Sequence, residues 1–367
     1  MKPVPFSKKN ITDKDIKIVN KILKSGWLTH GKYTTKFENE FKKYTKSKYA
    51  VTVSSCTAGL HLACQALGFK RGDEIIVPAM THVATAHAVS YSGASPIIAD
   101  INLYKGSINL NDLKKKINKK TKGIIVVHMA GFPNDMREIM KICKKYKLKL
   151  IEDCAHCLGS TYEEKHLGNF GDVGVFSFYP TKQISIGEGG MVITNKKSIY
   201  NAVRKNKAFG IDKDISERKI PGLYDVKTLG YNYRMTDYQS AIGHAQILRY
   251  RKELIQRKLN AASYHNYLKD IDFIKLPKYD KNCSYFIFQI FVKKNKRSKL
   301  MKVLTNNKIG FSIHYAKPIN KMSYYFRRNK QLCKNAEIYS NENISLPVHS
   351  GLNKKIIKKI SQVIANI

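Results

Sequence analysis

Gly123-Ile124-Ile125-Val126-Val127, then Asp135-Met136-Arg137-Glu138-Ile139-Met140-Lys141-Ile142-Cys143-Lys144-Lys145-Tyr146-Lys147, then Leu148-Lys149-Leu150-Ile151, is the stretch that decides the fold. Its first and last runs are short, mainly apolar and enriched in β-branched residues, the pattern of buried strands. Between them Met136, Ile139, Met140 and Cys143 recur at helical spacing and share one face. The same alternation extends towards the N-terminus, where Ala50 to Val53, Glu74 to Val77 and Pro96 to Ala99 also read as strands. Strands alternating with amphipathic helices predict a largely parallel sheet covered on both sides. Ligands of such a sheet gather at the carboxyl ends of its strands.

At the N-terminal end Thr12 opens a helical pattern through Leu23 that Gly26 terminates. The order changes after about residue 235. Thr236 and Gln239 have capping-box spacing and open a long helix towards Lys269. Beyond it Tyr285 to Val292, Gly310 to Ile313 and a terminal helix from Lys354 to Ile367 suggest a smaller α+β unit. The expected organisation is a large α/β domain over residues 1–250 and a small α+β domain over residues 251–367.

A chain of 367 residues buries about three quarters of the surface its extended form exposes, so it needs no disulfide or metal to hold a core. Apolar residues at 43% and charged residues at 25% match an ordinary globular protein and exclude disordered and collagen-like classes. The net charge of +39, from 66 Lys+Arg against 27 Asp+Glu, points to anionic partners. Its carriers are mostly lysines spread from Lys8 to Lys359, which reads as a solvated coat rather than a dedicated nucleic-acid surface. Nucleic acid is therefore not expected as a partner, while an anionic metabolite is favoured. Seven cysteines without framework spacing suit reduced thiols in a cytoplasm. Met1 to Asn10 lacks the apolar core of a signal peptide. The two long uncharged stretches, Tyr49 to Phe69 and Ile75 to Ala99, carry Ser, Thr and His at their centres, and read as buried rather than membrane-spanning.

Three segments carry chemistry. In Gly174-Val175-Phe176-Ser177-Phe178-Tyr179-Pro180-Thr181-Lys182-Gln183-Ile184-Ser185-Ile186-Gly187-Glu188-Gly189-Gly190 an apolar strand is broken by Pro180, and Lys182 heads a loop that closes on glycines. Desolvation beyond a buried strand lowers a lysine's pKa, as a Schiff-base lysine requires. In Ile151-Glu152-Asp153-Cys154-Ala155-His156 the acid Asp153 stands past a strand end, where it either caps a helix or holds a pyridinium nitrogen protonated. In Val53-Ser54-Ser55-Cys56-Thr57-Ala58-Gly59-Leu60 a strand turns into a helix, with hydroxyls and free N–H groups that either cap it or hold a phosphate. Cys154 and Cys157 have C-x-x-C spacing, but no second pair stands at a matching distance, so no metal is expected.

A phosphate turn, a distal acid and a loop lysine, in this order on alternating β/α units, resemble the pyridoxal-phosphate-dependent sugar aminotransferases of the DegT/DnrJ/StrS family, built on the aspartate-aminotransferase fold, PLP fold type I. The likeness runs from Ser25-Gly26-Trp27-Leu28-Thr29 through Gly72-Asp73-Glu74-Ile75-Ile76-Val77-Pro78 and Gly230-Tyr231-Asn232-Tyr233-Arg234-Met235-Thr236-Asp237 to His314-Tyr315 and Ser345-Leu346-Pro347. It implies that Lys182 forms the Schiff base with pyridoxal 5'-phosphate and then shuttles the proton. Asp153 would pair with the pyridine nitrogen. Thr57, the Ala58 backbone and Ser177 would hold the phosphate, joined by Asn232 from a second subunit. His156 would lie beside the ring hydroxyl, and the family's His-Tyr pair assigns His314 and Tyr315 to the substrate.

Two positions depart from the family pattern. Pro78-Ala79-Met80-Thr81 is followed by His82 where an aromatic residue usually stacks on the cofactor ring, and Cys56 replaces a frequent glycine. The resemblance further implies a homodimer with shared active sites, L-glutamate as amino donor and a nucleotide-linked keto-deoxysugar, aminated at C4, as acceptor, in polysaccharide biosynthesis. The dehydratase branch of the family is an alternative, but it carries histidine at the Schiff-base position, so Lys182 favours transamination. A basic nucleic-acid-binding or regulatory protein on the same fold is the alternative from a different class.

Overall fold

A computed structural model describes residues 2–8, 11–213, 219–327 and 331–367. Met1, Lys9 and Asn10, part of the stretch read for a leader, lie outside the described residues. In chain order the strands are Tyr49–Val53 (β1), Glu74–Pro78 (β2), Ser95–Ala99 (β3), Thr121–Val127 (β4), Lys149–Asp153 (β5), the short pair Thr161–Tyr162 (β6) and Lys165–His166 (β7), Val173–Ser177 (β8), Gly190–Thr194 (β9), Ile274–Lys275 (β10), Phe288–Val292 (β11) and Asn343–Leu346 (β12). The helices that matter here are Asp13–Ser25 (α1), Lys32–Thr45 (α2), Cys56–Ala66 (α3), Val83–Tyr91 (α4), Leu110–Lys116 (α5), Met136–Tyr146 (α6), Lys197–Asn206 (α7) and Asp237–Leu268 (α8).

The large sheet has seven strands in the order β1-β9-β8-β5-β4-β2-β3. Its pairs are parallel from β8 through β3, and β9 alone runs against both of its neighbours, β1 and β8. Side chains of each strand alternate between two cores. Ile125, Ile151, Val175 and Val192 join the core built with α3 and α4, whereas Ile124, Val126, Leu150 and Phe176 join the core built with α2 and α6. This two-sided burial explains why the strands read as continuous apolar runs. On α6 the buried face is Met136, Ile139, Ile142 and Cys143, while Met140 lies at its exposed edge, because the face centres on the row from Met136 to Cys143.

The small sheet orders its strands β10-β11-β12 and packs with the second half of α8 and the terminal helix Lys354–Ala365. Gly310 to Ile313 does not form a strand. Only Ser312 pairs, in a single bridge to Ser345, because Gly310 is drawn instead to Val4 of the N-terminal arm. Residue 250 falls inside α8: Ile247 and Tyr250 belong to a core of the large sheet, and Ala261, Tyr264 and Leu268 to the core of the small one. Among the described residues no helix is long and apolar enough to cross a membrane.

Helix ends follow local chemistry. Thr12 and Asp15 form a reciprocal capping box at the start of α1, and Gly26 ends the helix at φ +71°. At the start of α8 the buried Asp237 carboxylate accepts hydrogen bonds from the Thr34 N–H at 2.9 Å and the Thr34 hydroxyl at 3.1 Å. Gly31 lies directly against it, and a Cβ there would stand 2.2 Å from Asp237 Oδ2. At its φ of −92° an added methyl group would otherwise stabilise the chain by restricting the unfolded state. Gly31→Ala is therefore expected to destabilise by about 1–3 kcal/mol through overpacking. Thermal melting checks the sign: a melting temperature at or above the parent's would show that the Asp237 clamp does not constrain this turn.

Candidate active site

The carboxyl ends of β5 and β8 lie side by side, with Asp153 paired in register to Val175. Lys182 follows β8 in a turn closed by its own N–H donating to the Tyr179 carbonyl at 2.8 Å. The loop is pinned on both flanks. Phe178 and Gly189 pair across its base, the Gln246 amide bonds both the N–H and the carbonyl of Ser185 at 2.9 and 2.8 Å, and the Gln183 amide donates to the His156 carbonyl at 3.2 Å. Half-buried Lys182 extends its Nζ over the Phe286 ring, 4.3 Å from the centroid. Burial lowers the ammonium to a pKa of about 8, against the opposing pull of Cys56 and Asp153.

Asp153 is buried at 4% exposure. Its Oδ2 accepts from the Thr85 hydroxyl at 2.8 Å, and its Oδ1 accepts from the Ala155 N–H at 3.1 Å and faces Cys56 Sγ at 4.0 Å. Burial raises the carboxyl above its ordinary range, and the bonds from Thr85 and Ala155 together with the Lys182 charge oppose that rise. Cys56 is the first residue of α3, so this contact brings the helix N-terminus against the acid. Close approach is permitted by Gly190, where a Cβ would lie 2.7 Å from the Ser55 backbone.

Aromatic rings wall the lysine. His156 stacks on Phe286 with centroids 4.5 Å apart and planes at 24°, and its Nε2 lies 3.3 Å from the Tyr315 hydroxyl. Its Nδ1 accepts from the Ala130 N–H at 3.4 Å, which leaves the ring proton on Nε2. Burial, with Lys182 nearby, holds His156 neutral, and the same causes push His314 down to about 3. His314 bonds Ser345 at 3.0 Å and stacks on Phe6. His82 is exposed, stands edge-on to Tyr315 at 5.9 Å, and caps α4 by accepting the Ala84 N–H at Nδ1.

Lys182, Asp153, His156, His314, Tyr315 and His82 thus form one cluster. Thr57 and Ala58 lie in the first turn of α3, where the Ala58 N–H donates to the Ser55 hydroxyl at 3.1 Å. Ser177 ends β8, its hydroxyl accepting from the Tyr179 N–H at 3.4 Å. Asn232 is exposed, and among the described residues no hydrogen bond or ring contact joins it to this cluster. Sequence reasoning did not single out Thr85 or Phe286. The four-residue spacing of Thr81 and Thr85 could have flagged the first; nothing local marks Phe286, which arrives from the small sheet.

The ligand atoms of His128, Cys154 and Cys157 lie within 4.8 Å of one another. Both imidazole nitrogens are already committed, however: Nε2 to Glu152 at 3.1 Å and Nδ1 to the Asn134 N–H at 3.3 Å. One sizeable cavity lies away from Lys182. It measures about 800 Å³ and is lined by basic side chains that include Arg204, Lys205 and Arg234.

The donor set suits pyridoxal phosphate. It combines an amine of lowered pKa, a buried carboxylate whose Oδ2 takes a single hydrogen bond and keeps acceptor capacity, and a helix N-terminus flanked by hydroxyls, which favours a dianionic phosphate.

Comparison with known proteins agrees with this reading. GDP-perosamine synthase of Vibrio cholerae is 34% identical over 369 residues, covering 99% of this chain and 98% of its own length. The structure of PseC from Helicobacter pylori, an aminotransferase involved in the biosynthesis of pseudoaminic acid, superposes with a TM-score of 0.92 at 29% identity, covering 100% of this chain and 99% of that one. A Streptococcus pneumoniae protein assigned as a sugar aminotransferase, in its PMP form, superposes with a TM-score of 0.92 at 27% identity, covering 99% of this chain and 98% of its own. The sequence pattern of the DegT/DnrJ/EryC1/StrS aminotransferases matches residues 9–365, so this fold-type-I chain belongs to that family of pyridoxal-phosphate enzymes.

Proposed function

We propose that this chain transfers an amino group from L-glutamate to the keto carbon, at C4, of a nucleotide-linked deoxysugar, acting as a cytoplasmic homodimer in polysaccharide biosynthesis. The observation that carries the reading is Lys182, an amine with a pKa of about 8 on a pinned loop beside Asp153. A relative named for a GDP-linked sugar and a structural neighbour named for amino-sugar biosynthesis support the acceptor class. Arg204, Lys205 and Arg234 around the large cavity supply positive charge suited to a diphosphate. Exposed Ile220, Leu223, Val226 and Leu229, the last at 79%, lie in the segment leading to Asn232 and support a second copy there. Seven free thiols support a reducing compartment. The division into domains 1–250 and 251–367 is part of the proposal, with Phe286 meeting Lys182 across it.

In this mechanism Lys182 would hold the cofactor through Nζ and Asp153 would keep the ring nitrogen protonated. Thr57, the Ala58 backbone and Ser177 would hold the phosphate together with the partner subunit's Asn232. His156 would stand beside the ring hydroxyl, and His82 would cover the ring face. When bound, pyridoxal phosphate supplies an electron sink for the carbon that bears the donor nitrogen. Lys182 would take up and return the proton at its Nζ, and its lowered pKa leaves a useful share of the amine neutral near pH 7. Phe286 and the neutral imidazoles of His156 and His314 keep water from the lysine, while His314 and Tyr315 face the sugar.

Incubated with glutamate and a panel of nucleotide-linked 4-keto and 3-keto sugars, the enzyme is expected to yield one aminated product, read by mass. Lys182→Ala should reduce this by at least about 10²-fold while leaving thermal melting near the parent's, since acid–base catalysis alone is worth about 10²–10⁴-fold. Retention of more than about a tenth of the activity would refute the role of Lys182.

Attachment of pyridoxal phosphate to apoenzyme needs the neutral amine. Its rate should rise with pH and level off just above pH 8, where an ordinary surface lysine, titrating near 10.5, would still be accelerating. Stopped-flow absorbance across pH 6–10.5 measures the midpoint.

Asn232→Ala should raise the cofactor dissociation constant about 10- to 150-fold, the value of one charge-assisted hydrogen bond. In a purified heterodimer with Lys182→Ala, the lysine-bearing site faces an intact Asn232 and should regain parental affinity. Persistent weak binding at that site would mean that Asn232 serves its own subunit.

A further inference from the structure

The hydroxyl of Thr85 lies at the centre of a chain that reaches Asp153. Thr81 and Thr85 are both buried, at 1% and 0% exposure, and their hydroxyl oxygens are 2.8 Å apart. A hydroxyl has one proton to give. Thr85 gives its proton to Asp153 Oδ2 at 2.8 Å, so it must receive that of Thr81, and the bonds run in one direction, Thr81 to Thr85 to Asp153. Helical threonines ordinarily turn their hydroxyl back to the carbonyl four residues earlier. Here the side chain four residues earlier takes that place, and the hydroxyl is freed to point at the acid.

The start of α4 is held in register by His82, whose Nδ1 accepts the Ala84 N–H at 3.2 Å, and by the Thr85 N–H donating to the His82 carbonyl at 3.1 Å. The same residue that departs from the family's aromatic therefore seats the helix that carries Thr85. On the far side the Ala155 N–H fixes Oδ1, so both carboxylate oxygens are aimed by donors from separate elements.

We infer that Thr85, backed by Thr81, is a positioning residue for Asp153: a two-hydroxyl relay that keeps the carboxylate aimed and charged against the cofactor's ring nitrogen. This rests on the reading of Asp153 given above. A hydroxyl donated to a carboxylate lowers its basicity, so the shared proton stays on the ring nitrogen rather than passing to the acid. Bonds in such a chain strengthen one another, which makes the outer threonine part of the device.

Thr85→Val keeps the volume and removes the proton donor; Thr85→Ser keeps the donor. The test is the pH midpoint of the visible absorbance of the cofactor-loaded enzyme, together with the cofactor dissociation constant and the melting temperature of the apoprotein. A ring that has lost its positive charge disfavours a second one on the Lys182 nitrogen less, so Thr85→Val should move the midpoint upward by about one unit. The dissociation constant should rise about tenfold. Thr85→Ser should restore both, and Thr81→Val should shift the midpoint in the same direction by less. A lowered melting temperature with an unmoved midpoint and dissociation constant in Thr85→Val would overturn the inference, because the two hydroxyls would then only satisfy each other. Should Thr85→Val fail to fold, Thr81→Val decides alone, and an unmoved midpoint there is equally fatal. Asp153→Ala is the control: unchanged cofactor affinity and absorbance in that variant would overturn the role of Asp153 itself, and the relay with it.

Discussion

A carboxylate that has left water must be surrounded by donors, and two such groups stand next to each other on β5. Glu152 is fully buried and accepts from His128 Nε2 at 3.1 Å and from the N–H groups of Gly168, Phe170 and Gly171 at 2.8, 2.7 and 2.7 Å. These bonds hold it below the usual carboxylate range despite its burial. Asp153, one residue on, points to the opposite face of the strand, where the Thr85 hydroxyl, the Ala155 N–H and, at 4.0 Å, the weak Cys56 thiol donate to it and burial keeps its carboxyl raised. The first acid is saturated and ties the loop at residues 168–171 to the sheet. The second is undersupplied and retains acceptor capacity for a ligand. Much of the architecture follows from that difference, because α3, α4 and the Lys182 loop all converge on the acid that is not yet satisfied.

Side chains from distant elements complete that convergence. Gln246 of α8 clamps the lysine loop, Phe286 lies beneath the ammonium, and His156 is wedged between Phe286 and Tyr315. His156 and His314 are kept neutral by burial and by the lysine's charge. The cluster therefore has one cation and one anion in a setting of uncharged rings, and their separation by low-dielectric material makes each more sensitive to what binds between them.

The parallel strands and the helices between them were legible because two-sided burial writes itself as apolar runs. Lys182 and Asp153 were legible because a charged residue directly after such a run has few structural reasons to be there. β9 was not recognised as a strand: it begins at Gly190, whose missing side chain admits the Ser55 turn, and the glycines before it read as loop. Gly310 to Ile313 looked like a strand on composition, yet one bridge from Ser312 is all the pairing that its position allows. Phe286 could not be found from local pattern at all, since its role comes from the small sheet's placement against the lysine loop. Thr85 was concealed among the alanines and valines of α4, where a buried hydroxyl looks like a tolerated small residue.

The strand order has a consequence for biosynthesis. β1 lies at the edge of the sheet and its single sheet neighbour is β9, with Tyr49 opposite Thr194 and Val53 opposite Gly190. During translation at about 5–20 residues per second, β1 waits roughly seven to thirty seconds for that neighbour to be made. Until then the Ser55 turn has no sheet to stand on, whereas β2 through β5 can already pair in parallel. Because Lys182 lies in the connection between β8 and β9, the event that docks β1 also sets the lysine loop. In a nascent chain the lysine loop is therefore set late, after most of the parallel sheet has been made.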